Sequence, residues 1–186
     1  MTARPALRAL EPSLKKSHNI GVRVYWVYGT LAAAGVAWNI GLPVGTLVRL
    51  FALGLLLWTP LEYVLHRYVF HRLAPHYQHH ESPAELRYIF APLWFSGIAA
   101  IALFALFALA AGSWQRGALI DAGVISGYLC YEALHVWIHS PRAGGALLTA
   151  LRRHHYYHHF ADDTKCYGVV TPFWDHIFRT LPAGGK

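Results

Sequence analysis

Four long apolar runs, separated by short turn-forming or polar segments, set the pattern of this chain. Ile20 to Ile40, Leu47 to Leu65, Ala91 to Ala111 and Ala118 to Ile138 each come close to, or pass, the about 20 helical residues that cross a hydrocarbon core. Gly41, Pro43 and Gly45 form a turn that folds the first two runs into a hairpin, and Gly112 to Gly117 is a short loop between the last two. Arg23, near the start of the first run, can snorkel to the interface, and Arg49 lies close to the turn. The run Ala91 to Ala111 carries no charged residue, and from His139 onward the chain is polar enough to stay outside the hydrocarbon. The pattern predicts an all-α integral membrane protein with four transmembrane helices. Runs this long exclude a single soluble helical domain.

Composition supports that reading. The 186 residues fit one domain, taken as residues 1–186, and 13% charged residues with 55% hydrophobic ones depart from soluble domains, which carry nearer to ~25% charged. The net charge of +7 accompanies no nucleic-acid-binding motif. With four spans, the N-terminus, the segment after His66 and the C-terminal tail share one side. Of the 16 Lys and Arg, only Arg49 and Arg116 lie elsewhere. The positive-inside rule makes that side cytoplasmic, with anionic lipid, not nucleic acid, as the basic partner. Cys130 lies in an apolar run and Cys166 in the tail, without Cys-x-x-Cys spacing, so both are expected as reduced thiols. The first nineteen residues are basic and polar with no apolar core, which predicts no cleavable signal peptide.

The chemistry lies in the histidines. Of 13, ten fall in four groups: His66 and His71; His76, His79 and His80; His135 and His139; His155, His158 and His159. A helix advances about 100° per residue, so the rings of each His-x-x-His-His triplet share one face and can converge on one place, while the adjacent pair diverges enough to serve different metals. His135 and His139 also share a face. His66 and His71, five apart, diverge by about 140° on an unbroken helix, which predicts a kink or two metals there. Ten imidazoles exceed one ion and suit two with five each, a dinuclear centre for iron, zinc, copper or nickel. Glu62, Glu81, Glu132, Asp162 and Asp175 are candidates to accept ring N–H bonds and offset the charge. Glu62 and Glu132 lead, each about one helical turn before a ligand at the end of a span. His18, His154 and His176 are read as solvated or structural. Tyr63, Tyr68, Trp94 and Trp137 are read as interface anchors, and Arg152 and Arg153 as lipid-phosphate contacts or topology determinants.

The segments His66-Arg-Tyr-Val-Phe-His71, HYQHH, GYLCYEALHVWIH and RRHHYYHHF, with the tail YGVVTPFWDHIFRT from Tyr167 to Thr180, resemble the histidine boxes of the membrane fatty acid hydroxylase and sterol desaturase superfamily, most closely its fatty acid 2-hydroxylase branch. The resemblance covers about residues 58–181. It implies a four-helix membrane anchor beneath a cytosolic, histidine-rich helical cap, with the ten clustered histidines as ligands of a dinuclear centre. Iron is the expected metal and zinc an occupant after purification. It also implies dioxygen-dependent hydroxylation of a fatty acyl chain or membrane lipid, with no catalytic residue beyond the metal centre. The gap from His71 to His76 is shorter than in the eukaryotic 2-hydroxylases, and nineteen N-terminal residues cannot form a haem-binding cytochrome domain. A separate ferredoxin- or cytochrome-type electron donor is therefore expected, in a bacterial-type inner membrane. The alternatives are a desaturase, which needs the same oxidant, and a zinc-dependent lipid hydrolase or amidase, which needs only metal-bound water.

Overall fold

The computed structural model describes Gly29 and residues 41–83, 85, 88–140 and 144–182. These residues are helical or irregular, with no strand among them. In chain order the helices are α1 (Val44–Tyr68), a 3-10 turn (Phe70–Arg72), α2 (Ala74–Glu81), α3 (Leu93–Ala110), α4 (Trp114–His139), α5 (Ala146–Phe160) and α6 (Phe173–Ile177). The apolar run Ile20 to Ile40, apart from Gly29, lies outside the described residues.

The other three runs are helices with shifted ends. The continuous stretch Val44–Arg72 is long and apolar enough to cross a membrane, and Trp94–Ala110 is a shorter apolar helix. The loop expected over Gly112 to Gly117 is tighter, because Ser113 caps α4 by accepting the Arg116 N–H, and the helix starts at Trp114. Apolar side chains cover the outer surfaces of α1 and α3: Leu56 is 68% exposed, Ile101 71% and Leu109 82%. So much uncovered aliphatic surface on two helices suits lipid contact and not water.

α1 and α3 both pack along α4. The α1–α4 crossing is close because both helices place glycine at it: a Cβ on Gly54 would meet the Ile120 carbonyl oxygen, and one on Gly123 the Phe51 carbonyl oxygen. Small residues that bring backbones together are how apolar helices gain contact where water supplies no driving force. Above this crossing the core continues through Trp58, Val124, Tyr131, Ile138, Leu151 and Val169. It thereby joins the α1–α4 pair to α5 and to the tail. The close crossing brings the C-terminal ends of α1 and α4 side by side, and the 3-10 turn, α2, α5 and the tail close over them.

Candidate metal centre

Each histidine box occupies one structural corner. His66 lies in the last turn of α1, His71 in the 3-10 turn, and His76, His79 and His80 on α2. His135 and His139 end α4, and His155, His158 and His159 end α5. The ten rings form two adjoining groups of five: His66, His71, His76, His80 and His158; and His79, His135, His139, His155 and His159. Within a group, one nitrogen from each ring lies within 4.8 Å of the others.

Helix periodicity explains the division. Rings four apart, His76 with His80, His135 with His139 and His155 with His159, stay in one group. The ring three apart, His79 or His158, turns to the other group. Each triplet therefore divides two and one instead of converging on one place. The adjacent pairs His79/His80 and His158/His159 straddle the groups, as their angular divergence predicts. His66 and His71 join the same group because α1 ends at Tyr68 and the chain tightens into the 3-10 turn, which is the kink expected between them.

The nitrogens crowd in a way that neutral rings alone cannot satisfy. His155 Nε2 lies 2.9 Å from His135 Nε2, 3.0 Å from His139 Nε2 and 2.9 Å from His159 Nε2. A neutral ring nitrogen carries at most one proton, so three such neighbours cannot all be hydrogen bonds. Nitrogens held about 2.0–2.1 Å from a central cation at right angles lie about 3 Å apart, which is the spacing seen. In the first group His71 Nε2 lies 3.1 Å from His158 Nε2, the Nε2 atoms of His76 and His80 are 3.2 Å apart, and His66 Nε2 is buried without a hydrogen-bond partner among the described residues. Burial pushes His80 down to about 4 and His158 down to about 3, and holds His79, His155 and His159 well below the usual imidazole range. Neutral imidazole is the form that binds a metal. The donor set of both groups fits a cation.

The partners of the rings differ from expectation. His66 Nδ1–H donates to the Tyr167 carbonyl at 2.5 Å and His158 Nδ1–H to the Lys165 carbonyl at 2.6 Å. A carbonyl only accepts, so the proton is on Nδ1 and the Nε2 lone pair is free. Neither Glu62 nor Glu132 accepts from a ring. Glu62 Oε1 accepts the Val169 and Val170 N–H groups at 2.6 and 2.9 Å. Glu132 accepts from the Tyr128 hydroxyl, one turn back on α4, and from the Ala91 backbone before α3. Both carboxyls are buried and serve as ties between segments. Asp162 accepts from Thr164 in an exposed turn, and Glu81 is exposed.

Three other assignments change. His154, read as a bystander, lies 3.0 Å from buried Asp175. Arg152 does not reach for lipid phosphate: its guanidinium donates to the carbonyls of Ile138 and Ser140 at 2.9 and 2.6 Å, capping the end of α4. Tyr63 is buried against Thr180, whereas Tyr68, Trp94 and Trp137 are exposed as interface anchors should be. The one signal for Asp175 and His154 was an acid inside the apolar stretch Phe173–Phe178, which needed a buried donor.

Two cavities meet at Phe70. One is bounded by His76, Leu73, Tyr88, Pro92 and Tyr131. The other runs between α1, α3 and α4 past Trp58, Leu65, Leu103, Val124 and Tyr128. An apolar slot thus begins beside the first histidine group.

The profile of the fatty acid hydroxylase family matches residues 51–180. The chain is 34% identical to mouse fatty acid 2-hydroxylase over 156 residues, covering 75% of this chain and 41% of that protein. It is 30% identical to the Schizosaccharomyces pombe ceramide very long chain fatty acid hydroxylase scs7 over 200 residues, covering 92% of this chain and 52% of that protein. It is 31% identical to an Arabidopsis thaliana dihydroceramide fatty acyl 2-hydroxylase, covering 70% of this chain and 60% of that protein. The chain thus spans about half the length of these relatives. A solved structure of full-length scs7p, in which only the hydroxylase domain is visible, superposes with a TM-score of 0.74 at 24% identity, over 87% of this chain and 65% of that one. The shared fold, the two histidine groups and the match over residues 51–180 agree, and the chain belongs to the fatty acid hydroxylase family.

Proposed function

We propose that this protein hydroxylates a fatty acyl chain or membrane lipid with dioxygen at a dinuclear, histidine-ligated metal centre. The observation that carries the reading is the pair of adjoining five-imidazole groups, the first of which borders an apolar slot through His76, between helices with aliphatic outer faces. His66, His71, His76, His80 and His158 would hold one ion; His79, His135, His139, His155 and His159 would hold the other. Bound metal, with iron as the proposed ion, supplies activation of dioxygen and removal of a hydrogen atom from a C–H bond. The overall reaction takes one C–H bond, one dioxygen, two electrons and two protons to one C–OH and one water. The electrons come from a ferredoxin- or cytochrome-type protein.

The chain's own residues hold and orient. Neutral imidazoles accept the cations, and the slot past Phe70 aligns an apolar chain with the first group and keeps water away from it. Residues 1–186 act as one domain, with α1, α3 and α4 crossing a bacterial-type inner membrane and the histidine-bearing cap on the cytoplasmic side. Mass spectrometry of lipids from cells with and without the protein tests the reading. Lipids gaining one oxygen atom support it; loss of two hydrogens marks a desaturase, and cleaved lipid marks a hydrolase.

A further inference from the structure

The tail from Lys165 to Thr180 forms a strap across the first histidine group, and buried Asp175 gathers it. Asp175 Oδ1 accepts the Tyr167 N–H at 2.8 Å and the Thr180 hydroxyl at 2.7 Å. Oδ2 accepts the Gly168 N–H at 2.8 Å and His154 Nε2–H at 3.0 Å. Four donors onto two oxygens suit only an ionised carboxylate. Burial pushes its pKa up, but the His154, Thr180 and Gly168 hydrogen bonds more than offset this and hold it below the ordinary value. The chain extends outward: Tyr63 donates to Thr180 Oγ1 at 3.0 Å, and Arg67 donates to Tyr63 at 2.9 Å.

What the strap delivers is two backbone carbonyls, Lys165 to His158 and Tyr167 to His66. Cys166, between them, has φ +57, a conformation that a non-glycine residue keeps only when its surroundings enforce it. Both recipient rings belong to the first group. In the second group the Nδ1 atoms of His79, His135, His155 and His159 are buried with no hydrogen-bond partner among the described residues.

We propose that Asp175 is the positioning residue of the first metal group: by clamping the strap through His154, Thr180 and two backbone N–H groups, it holds the carbonyls that fix His66 and His158, and it sets metal retention there without setting it in the second group. The proposal rests on the dinuclear reading above.

The test counts metal on the purified full-length chain by elemental analysis after identical dialysis against a chelator, with helicity followed by circular dichroism. Asp175→Asn places an amide NH₂ against two donors and should release the strap. Wild type should keep two ions and Asp175→Asn one. Adding His80→Ala, in the first group, should remove nothing further, whereas adding His139→Ala, in the second, should leave none. His154→Ala and Thr180→Val each remove one donor and keep the carboxylate, and should weaken retention in the first group alone by about 10-fold. Asp175→Asn with two ions, or with even loss from both groups, overturns the proposal. If Asp175→Asn loses its helicity, unchanged retention in His154→Ala and Thr180→Val overturns it instead. A wild-type chain with one ion overturns the dinuclear reading, and the proposal with it.

Discussion

At the residue scale, the ten clustered histidines differ from His154 and His176 in what surrounds them. His66, His79, His135, His155 and His158 are fully buried among other imidazoles, whereas His176 is exposed on α6. His79→Ala, His135→Ala or His158→Ala should each abolish product formation and release metal, while His18→Ala and His176→Ala should leave both unchanged. Equal damage from His176→Ala and His158→Ala would contradict the assignment. Glu132→Gln should fall between these. It replaces a carboxylate oxygen by an NH₂ donor and weakens the tie to Tyr128 and Ala91, and a loss of about 10- to 100-fold in activity or metal affinity is the expected scale for a residue one step from the ligands. The clustering of the ten histidines was legible in the sequence, because i, i+3 and i, i+4 spacing is a property of one helix. The roles of Glu62, His154 and Asp175 were not. Glu62 meets Val169 across 107 residues and His154 meets Asp175 across 21, and no local spacing encodes such contacts.

At the element scale, the centre depends on how two pairs of helices meet. The Gly54–Gly123 crossing sets the distance between α1 and α4, and with it the distance from His66 to His135. Gly123→Leu should separate the helices, since the added side chain meets backbone and not a flexible neighbour. Both metal stoichiometry and helix packing should suffer, and unchanged thermal unfolding would contradict this. Arg152 makes the second join, tying α5 to the last carbonyls of α4. Hydrogen bonds from a charged group contribute about 1.5–3 kcal/mol, so Arg152→Ala should lower the melting temperature of detergent-solubilised protein measurably, and an unchanged value would refute the clamp. The apolar runs announced three of these helices, but the end of α1 at Tyr68 and the early start of α4 did not show in hydropathy. A bend and a serine cap decide them.

At the scale of the whole molecule, a cluster of neutral imidazoles makes stability depend on pH with a definite sign. In the unfolded chain a histidine takes up its proton near 6.5; in the folded protein burial holds His80 off until about 4 and His158 until about 3. The unfolded state therefore binds more protons below 6.5, and stability and metal retention should fall as pH drops from about 6.5 towards 4. Denaturant unfolding and metal release across that range should track each other. A protein equally stable at pH 7 and pH 4.5 would contradict the buried neutral cluster.

The central claim is that oxygen from dioxygen enters a lipid C–H bond. Its most direct test is membranes containing the protein, incubated with ¹⁸O-labelled dioxygen or under nitrogen, with and without a ferredoxin- or cytochrome-type reducing system, followed by mass spectrometry of the lipids. Label in a new lipid hydroxyl, formed only when dioxygen and reductant are both supplied, is the expected result. Undiminished turnover under nitrogen, or a product oxygen that carries the label of water, would contradict it.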